Sequence, residues 1–169
     1  MESNICKEAV YSSFFKSHAR QLRNFLIYKF KNTDQADDAA QEAFIKLWQN
    51  CDKVPLEKAK SYVYTIANNL TLNILAHQKV VLGYEKKVIN NDKNIENPEF
   101  LMEEEQFKKQ LLLAIENLNE TQRVAFLMNR IDGKKYSEIA LELNISVKAV
   151  EKRIHLALVE LRKTFQHFK

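Results

Sequence analysis

The chain has 169 residues, a formal net charge of +4 and a hydrophobic content of 46%. This length permits one domain or two small ones, and the hydrophobic content is sufficient for a packed core. Only two glycines and two prolines interrupt a composition rich in helix-favouring residues, which predicts an all-α protein. No apolar run reaches the roughly eighteen residues that span a bilayer, and residues 1–18 lack the apolar core of a signal peptide.

The net charge bears on the kind of partner, and the two cysteines bear on the cellular compartment. A pI near 8.9 is compatible with a nucleic-acid partner, but the positive excess is too small for tight DNA binding by charge alone. Cys6 and Cys51 match no metal-ligand spacing, and we expect unpaired thiols in a reducing cytosol. A glycine-rich phosphate loop and a nucleophile–base arrangement are also missing. We therefore predict a cytoplasmic protein with no catalytic activity, no metal and no cofactor.

Two amphipathic helices are predicted in the first fifty residues. The first spans about residues 8–28, with a possible break near Ser17. Thr33 or Asp34 can cap the second helix, which ends near Asn50. One side of this second helix is apolar and carries Ala36, Ala40, Ala43, Phe44 and Leu47, with Trp48 at its margin.

The opposite side of the second helix is rich in carboxylates and amides, and Ile45 lies near its middle. A single exposed isoleucine usually has no function. An isoleucine surrounded by acids and amides can also be the centre of a protein contact. The pattern leaves both interpretations open. The polar residues on this side are Asp34, Asp38, Gln41, Glu42 and Gln49.

Residues 51–60 are predicted to form a loop, and a third helix follows over residues 61–79. Its apolar stripe consists of Val63, Ile66, Ala67, Leu70 and Ile74. Its other faces offer tyrosines and amides, which suit unstacked single-stranded bases, while nearby lysines would hold phosphate. The alternative is that the tyrosines are packing residues and the asparagines face solvent. These residues are Tyr62, Tyr64, Asn68, Asn69, Asn73 and His77.

Residues 80–98 break the helical pattern and are predicted to form a flexible interdomain linker. They divide the chain into an N-terminal helical domain, residues 1–79, and a C-terminal domain, residues 99–169. Four helices are expected in the second domain. The first of these carries an apolar stripe of Phe107, Leu111, Ala114 and Ile115. Asn119 caps the next, which ends near Ile131, and Gly133 takes a left-handed conformation after it.

Residues 136–163 are predicted to form a helix-turn-helix. Asn144 tolerates the left-handed conformation that ends the first helix, and Ser146 is the expected N-cap of the second. Val150 and Ile154 belong to the buried stripe. The opposite face carries side chains that suit a major groove, with Arg153 placed to meet phosphate; these are Lys148, Glu151, Lys152 and His155. The alternative is a helical hairpin with a solvated face.

Three strings together resemble the bacterial sigma factors of the sigma-70 family. DQADDAAQEAFIKLW resembles their core-polymerase-binding segment, and SYVYTIANNLTLNILAHQK resembles the helix that contacts the melted promoter. The string LNETQRVAFLMNRIDGKKYSEIALELNISVKAVEKRIHLALVELRK resembles their C-terminal promoter-reading domain. The spacer is too short for a middle domain, as in the extracytoplasmic-function (ECF) group. The resemblance covers about residues 8–168.

The resemblance implies three sets of contacts. Core RNA polymerase would bind Asp38, Gln41, Glu42 and Ile45. The melted −10 element would bind Lys58, Lys60, Tyr64, Asn68, Asn69 and Asn73. The duplex −35 element would bind Lys148, Glu151, Lys152, Arg153 and His155.

Partners and alternatives follow from the same resemblance. It implies core RNA polymerase, promoter DNA and an anti-sigma factor as partners. Asn68, Asn73 and Ala76 stand where the family often has Arg, Asp and Arg, so the charge of the melting helix is reduced. Two alternatives from the residues alone are an autonomous helix-turn-helix regulator and a helical adaptor that binds only proteins.

Overall fold

The computed structural model describes residues 5–81 and 99–165, and the side chains of residues 71–81 and 99–104 are excluded from the description. All the regular structure in these ranges is helical, which confirms the all-α prediction. The helices are α1 (Glu8–Phe30), α2 (Thr33–Gln49), α3 (Leu56–Val81), α4 (Glu99–Asn117), α5 (Glu120–Arg130), α6 (Tyr136–Leu143) and α7 (Val147–Phe165). No helix within these ranges is long and apolar enough to cross a membrane. Most of the predicted linker, residues 82–98, lies outside the described residues.

Helices α1, α2 and α3 pack against one another and form the N-terminal half. The expected break near Ser17 does not occur: α1 is continuous, and the Ser17 hydroxyl donates a 2.8 Å hydrogen bond to the Ser13 carbonyl within it. Lys31 ends α1 with a left-handed φ of 56°. The N-cap of α2 is Asn32, whose side chain accepts from the Gln35 amide at 3.1 Å. Thr33 and Asp34 are therefore not the cap.

Helix α3 starts at Leu56, five residues before the predicted start at Ser61. Pro55 precedes it, and the Lys58 amide donates to the Pro55 carbonyl at 2.9 Å. Ala59 is fully buried, so the apolar face of the helix already contacts the core in its first turn. The prediction of a loop through Lys60 was wrong, and both Lys58 and Lys60 lie in α3.

A disulfide joins Cys6 to Cys51, with 5.1 Å between their Cα atoms and 45 residues between them in sequence. The prediction of unpaired thiols was therefore wrong. Ile5 is fully buried in the core of the N-terminal half. The disulfide ties the segment before α1 to the segment that follows α2. Spacing along the chain does not reveal this proximity.

Helices α4 to α7 form the C-terminal half, in which α7 packs on α4, α5 and α6. The turn predictions are confirmed here. Asn144 has φ 52° and ψ 50°, and Gly133 has φ 67°. The Ser146 hydroxyl accepts from the Ala149 amide at 3.1 Å. The Asn119 side chain caps α5 by accepting from the Thr121 amide at 3.0 Å.

Phe107, which was assigned to the apolar stripe of α4, and Ile131, which was expected at the end of α5, are both exposed. Phe107 is 54% exposed, and its ring contacts the Phe165 ring at 5.2 Å near the end of α7. Ile131 is 68% exposed and lies beyond α5, which ends at Arg130. Helical periodicity alone therefore did not predict the burial of either residue.

The two halves lie against each other. Helix α1 packs on α5, and α3 packs on α6. A single apolar cluster extends from the N-terminal half into Val124, Met128, Ile139 and Val150 of the C-terminal half. The sequence patterns did not predict this contact, because each helix had already been assigned an apolar face within its own half.

Candidate functional site

An open, mostly apolar groove of about 680 Å³ lies between α1 and α2. Tyr11 and Phe44 support it from within: the Tyr11 hydroxyl donates to the Phe44 carbonyl at 2.8 Å. Phe15, Ile45 and Trp48 line the groove and are 43%, 49% and 43% exposed. Apolar surface that remains exposed in a concave site with polar edges is typical of a protein-binding site.

The prediction that Ile45 is exposed is confirmed, and Gln41 lies in the same α1–α2 groove. Asp38 is exposed one turn earlier on α2. Glu42 is half-buried and pairs with Lys46 at 3.5 Å. The acidic and amide residues therefore flank an apolar centre, the arrangement that was inferred from sequence.

The groove also contains residues that sequence reasoning missed. Trp48 was placed at the margin of the buried stripe, and its ring forms an edge contact with Tyr11 at 4.8 Å while the residue stays 43% exposed. Phe15 contacts Phe44 at 4.8 Å. A signal was available for Phe15, because adjacent residues such as Phe14 and Phe15 cannot both occupy the centre of one narrow helical stripe.

The residues predicted to bind the −10 element do not form one open surface. Lys58 and Asn69 are exposed. Asn68 is half-buried and accepts a hydrogen bond from the Lys29 ammonium. Tyr64 is only 3% exposed, against the expectation that it presents its ring to DNA. The side chain of Asn73 lies outside the described residues.

Tyr64 is buried because the C-terminal half covers it. Lys134 places its ammonium 3.4 Å from the Tyr64 hydroxyl and 2.6 Å from the Glu142 carboxylate. The Lys60 ammonium lies 2.6 Å from Oε1, the other oxygen of the Glu142 carboxylate. The angles of this contact do not meet those of a hydrogen bond, so the two groups form an ion pair. Burial raises the pKa of Tyr64, and the nearby charge of Glu142 raises it further. Tyr64 is therefore a neutral packing residue in this arrangement.

The polar face of α7 is open, as predicted. Val150 and Ile154 are buried on the opposite side, at 0% and 1% exposure. The exposed residues of the face are Lys148, Glu151, Lys152 and His155, and Arg153 is half-buried beside them. A shallow depression of about 480 Å³ lies along this face. The turn at Asn144 and the Ser146 cap hold the helix in position, so that its first two turns project these side chains together.

Comparison with known proteins gives matches along both halves. The family model described as Sigma-70 region 2 matches residues 14–80, and that described as Sigma-70, region 4 matches residues 108–161. The ECF RNA polymerase sigma-E factor of Escherichia coli (strain K12) is 31% identical over an alignment of 142 residues that covers 78% of this chain and 74% of that protein. The chain belongs to the ECF group of the sigma-70 family.

Other similar proteins agree with this assignment. The ferric citrate uptake sigma factor FecI of Escherichia coli (strain K12) is 26% identical over 149 residues, covering 88% of this chain and 86% of that protein. Among solved structures, the fold is similar to the sigma factor RpoE in complex with the anti-sigma factor NepR from Bartonella quintana. That likeness has a TM-score of 0.64 and 17% identity, and it covers 94% of this chain and 98% of that chain.

This sigma factor directs transcription initiation. Its partners are RNA polymerase and promoter DNA. An autonomous helix-turn-helix regulator would explain the match over residues 108–161 but not the match over residues 14–80. A protein-only adaptor explains neither match.

Proposed function

We propose that the α1–α2 groove is the surface by which this sigma factor binds core RNA polymerase. The observation that carries the proposal is the exposed Ile45 beside a concave apolar site. A helix of the polymerase would bury Phe15, Ile45 and Trp48 as the centre of the interface, and Asp38, Gln41 and Glu42 would form its polar rim.

The polar face of α7 would read the −35 element in the major groove. Lys148, Glu151, Lys152 and His155 would approach base edges, and Arg153 would contact phosphate. The openness of this face and the rigid packing of Val150 and Ile154 beneath it support the proposal. Base contacts need a helix that is held firmly, because a recognition side chain displaced by an ångström loses its hydrogen bond.

The −10 element would bind along α3 once the C-terminal half has moved away from it. Lys58 and Asn69 are exposed and would meet the strand first. Lys60, Tyr64 and Asn68 become available only after their present contacts are broken, and Asn73 lies further along the same helix. Base stacking on Tyr64 and phosphate contacts from the lysines would together favour the melted strand.

We infer that residues 1–79 and 99–169 act as separate functional domains joined by residues 80–98. We further infer that the protein acts in the cytoplasm and has no catalytic activity of its own. The separate matches over residues 14–80 and 108–161 support this division. An anti-sigma factor is a further proposed partner, since a sigma factor of similar fold is known in complex with one.

Transcription by core polymerase on random genomic fragments tests the proposed function. Addition of the protein should produce discrete transcript starts that share one promoter sequence. A variant with Lys148→Glu and Lys152→Glu should lose these starts while still binding the polymerase. If the folded wild-type protein produces no discrete starts, the proposal fails. Tight duplex binding in the absence of polymerase would favour the autonomous regulator instead.

A further inference from the structure

The Cys6–Cys51 disulfide lies at one end of the α1–α2 groove. Cys6 comes two residues before Glu8, the first residue of α1. Cys51 comes two residues after Gln49, the last residue of α2. Glu8 and Gln49 both line the groove. The bond therefore joins the two helices where their facing walls begin, beside the surface proposed to bind polymerase.

The first turn of α1 depends on this bond, because its N-cap residue supplies no side-chain cap. That residue is Lys7, and its side chain makes no capping hydrogen bond. A helix start without such a cap frays more readily unless a tertiary contact holds it. The buried Ile5 and the disulfide are contacts of this kind, directly before the helix. Reduction of the disulfide would leave a weaker attachment at the start of α1.

The start of α1 also forms one wall of the groove. Tyr11 lies one turn into the helix, and its ring meets the Trp48 ring of α2 at 4.8 Å. Its hydroxyl donates to the Phe44 carbonyl of α2 at 2.8 Å. Fraying of this turn would break both contacts and separate Tyr11 from Trp48. A site that is formed in only a fraction of the molecules has its apparent affinity reduced by that fraction.

The two cysteines have the accessibility that thiol–disulfide exchange requires. Both are half-buried, so a small reagent can reach them. They are the two cysteines of the whole chain, so oxidation within one molecule has a single product. Disulfides of cytosolic proteins are mostly redox-sensing or catalytic, because the compartment keeps other thiols reduced. The pair therefore suits a reversible bond better than a permanent one.

We propose that Cys6 and Cys51 form a redox-modification site, at which a small-molecule disulfide raises the affinity of the α1–α2 groove for core polymerase. One thiolate attacks the reagent RSSR, forms a mixed disulfide and releases one RSH. The second thiolate attacks the protein sulfur of the mixed disulfide and releases the second RSH. Two electrons pass from the cysteines to the reagent, and the two thiol protons leave on the two RSH molecules. The proposal rests on the polymerase-binding role and the cytoplasmic location proposed above.

Buffers with different ratios of reduced to oxidised glutathione test the site on the full chain. The reduced fraction is counted by alkylation of the thiols with a maleimide, and polymerase affinity is measured by surface plasmon resonance without DNA. The oxidised protein should bind core polymerase about fivefold more tightly than the reduced protein, and the change should reverse with the buffer. The control with Cys6→Ser and Cys51→Ser should have the affinity of the reduced protein in every buffer.

Trp48 reports the state of the groove independently of polymerase, because it is the single tryptophan of the chain and contacts Tyr11. Reduction should move its fluorescence emission maximum to longer wavelength, since the ring loses Tyr11 and gains solvent. The variant with both serines should show the spectrum of the reduced protein and should not respond to glutathione. Far-ultraviolet circular dichroism of the same samples should show that the reduced protein keeps its helices.

Three results would overturn the redox site. They are a disulfide that persists in fully reduced glutathione, an emission maximum that reduction does not move, and loss of the helices on reduction. Ile45→Glu separates this proposal from the proposed function. If Ile45→Glu weakens polymerase binding and reduction does not, the redox site fails and the groove remains the binding surface. If neither change alters the affinity, the groove is not that surface and both proposals fail.

Discussion

The Lys134 ammonium and the Glu142 carboxylate lie 2.6 Å apart, and their side chains are 8% and 2% exposed. Both belong to the helix-turn-helix half, yet the same carboxylate also meets Lys60 of the other half at 2.6 Å. Burial of such a pair costs desolvation free energy that the attraction only roughly offsets, whereas removal of one member leaves an uncompensated buried charge. The pair is therefore sensitive to substitution even though it adds little net stability.

Glu142→Gln should lower the free energy of unfolding by about 3–5 kcal/mol, because it leaves the buried Lys134 without a counter-charge. Urea unfolding followed by circular dichroism measures this. Glu105→Gln is the matched control, since Glu105 pairs with Lys109 at 3.1 Å but both side chains are more than 60% exposed. Its effect should stay below about 1 kcal/mol. Equal effects of the two substitutions would show that the Glu142 site is solvated.

Ile45→Glu should weaken binding to core polymerase by about tenfold or more, because it places a charge at the apolar centre of the α1–α2 groove. Its melting temperature should remain near that of the wild type, since the side chain is 49% exposed. Leu141→Glu is the control, as Leu141 is 76% exposed on α6, away from the groove. Polymerase affinity is measured by surface plasmon resonance without DNA. An equal loss of polymerase affinity in both variants would show that the groove is not the binding surface.

Trp48→Ala should lower the free energy of unfolding by only about 1–2 kcal/mol, the range expected for a half-exposed aromatic contact. The ring loses its edge contact with Tyr11 but leaves no buried cavity. Phe44→Ala is the comparison, because Phe44 is 3% exposed and its removal should cost about 3–5 kcal/mol. The denaturant concentrations at the midpoint of unfolding distinguish the Trp48→Ala variant from the Phe44→Ala variant. A larger loss at Trp48 than at Phe44 would place the tryptophan in the core.

Arg153→Ala should weaken binding of promoter duplex by the sigma–polymerase complex and make that binding less dependent on salt, because Arg153 is the side chain proposed to contact phosphate. Each cationic side chain that contacts phosphate contributes about one unit to the slope of log affinity against log salt concentration. Lys163→Ala is the control, because Lys163 is exposed near the other end of α7 and pairs with Glu160. A slope unchanged by the Arg153 substitution would show that this side chain does not contact the DNA backbone.

Reduction of the Cys6–Cys51 disulfide should lower the free energy of unfolding by about 2–4 kcal/mol, since the bond closes a 45-residue separation. Thermal melts with and without a dithiol reductant measure this. The variant with Cys6→Ser and Cys51→Ser should melt like the reduced wild type and should not respond to reductant. Two titratable thiols in protein purified without reductant would contradict the disulfide.

Sequence patterns identified several features whose determining interaction is local, although the cap of α2 and the start of α3 were misplaced. Asn144 and Gly133 were identified from conformations that few residues adopt, and Ser146 from a bond to an amide three residues away. The burial of Val150 and Ile154 was predicted from helical spacing, because residues four apart lie on the same face of a helix. The exposure of Ile45 was predicted for the same reason. These features depend on neighbours within about four residues, so they can be predicted from the sequence.

The tertiary structure decided the features that join distant segments. Asp132 meets Tyr28 across 104 residues, and Glu142 meets Lys60 only because α6 docks on α3. The disulfide of Cys6 depends in the same way on how α1 lies against α2. Nothing in the spacing of these residues encodes the angle or the register at which two helices pack. The family and the all-helical class were therefore readable from the order of residues, whereas the covering of Tyr64 was determined by helix packing alone.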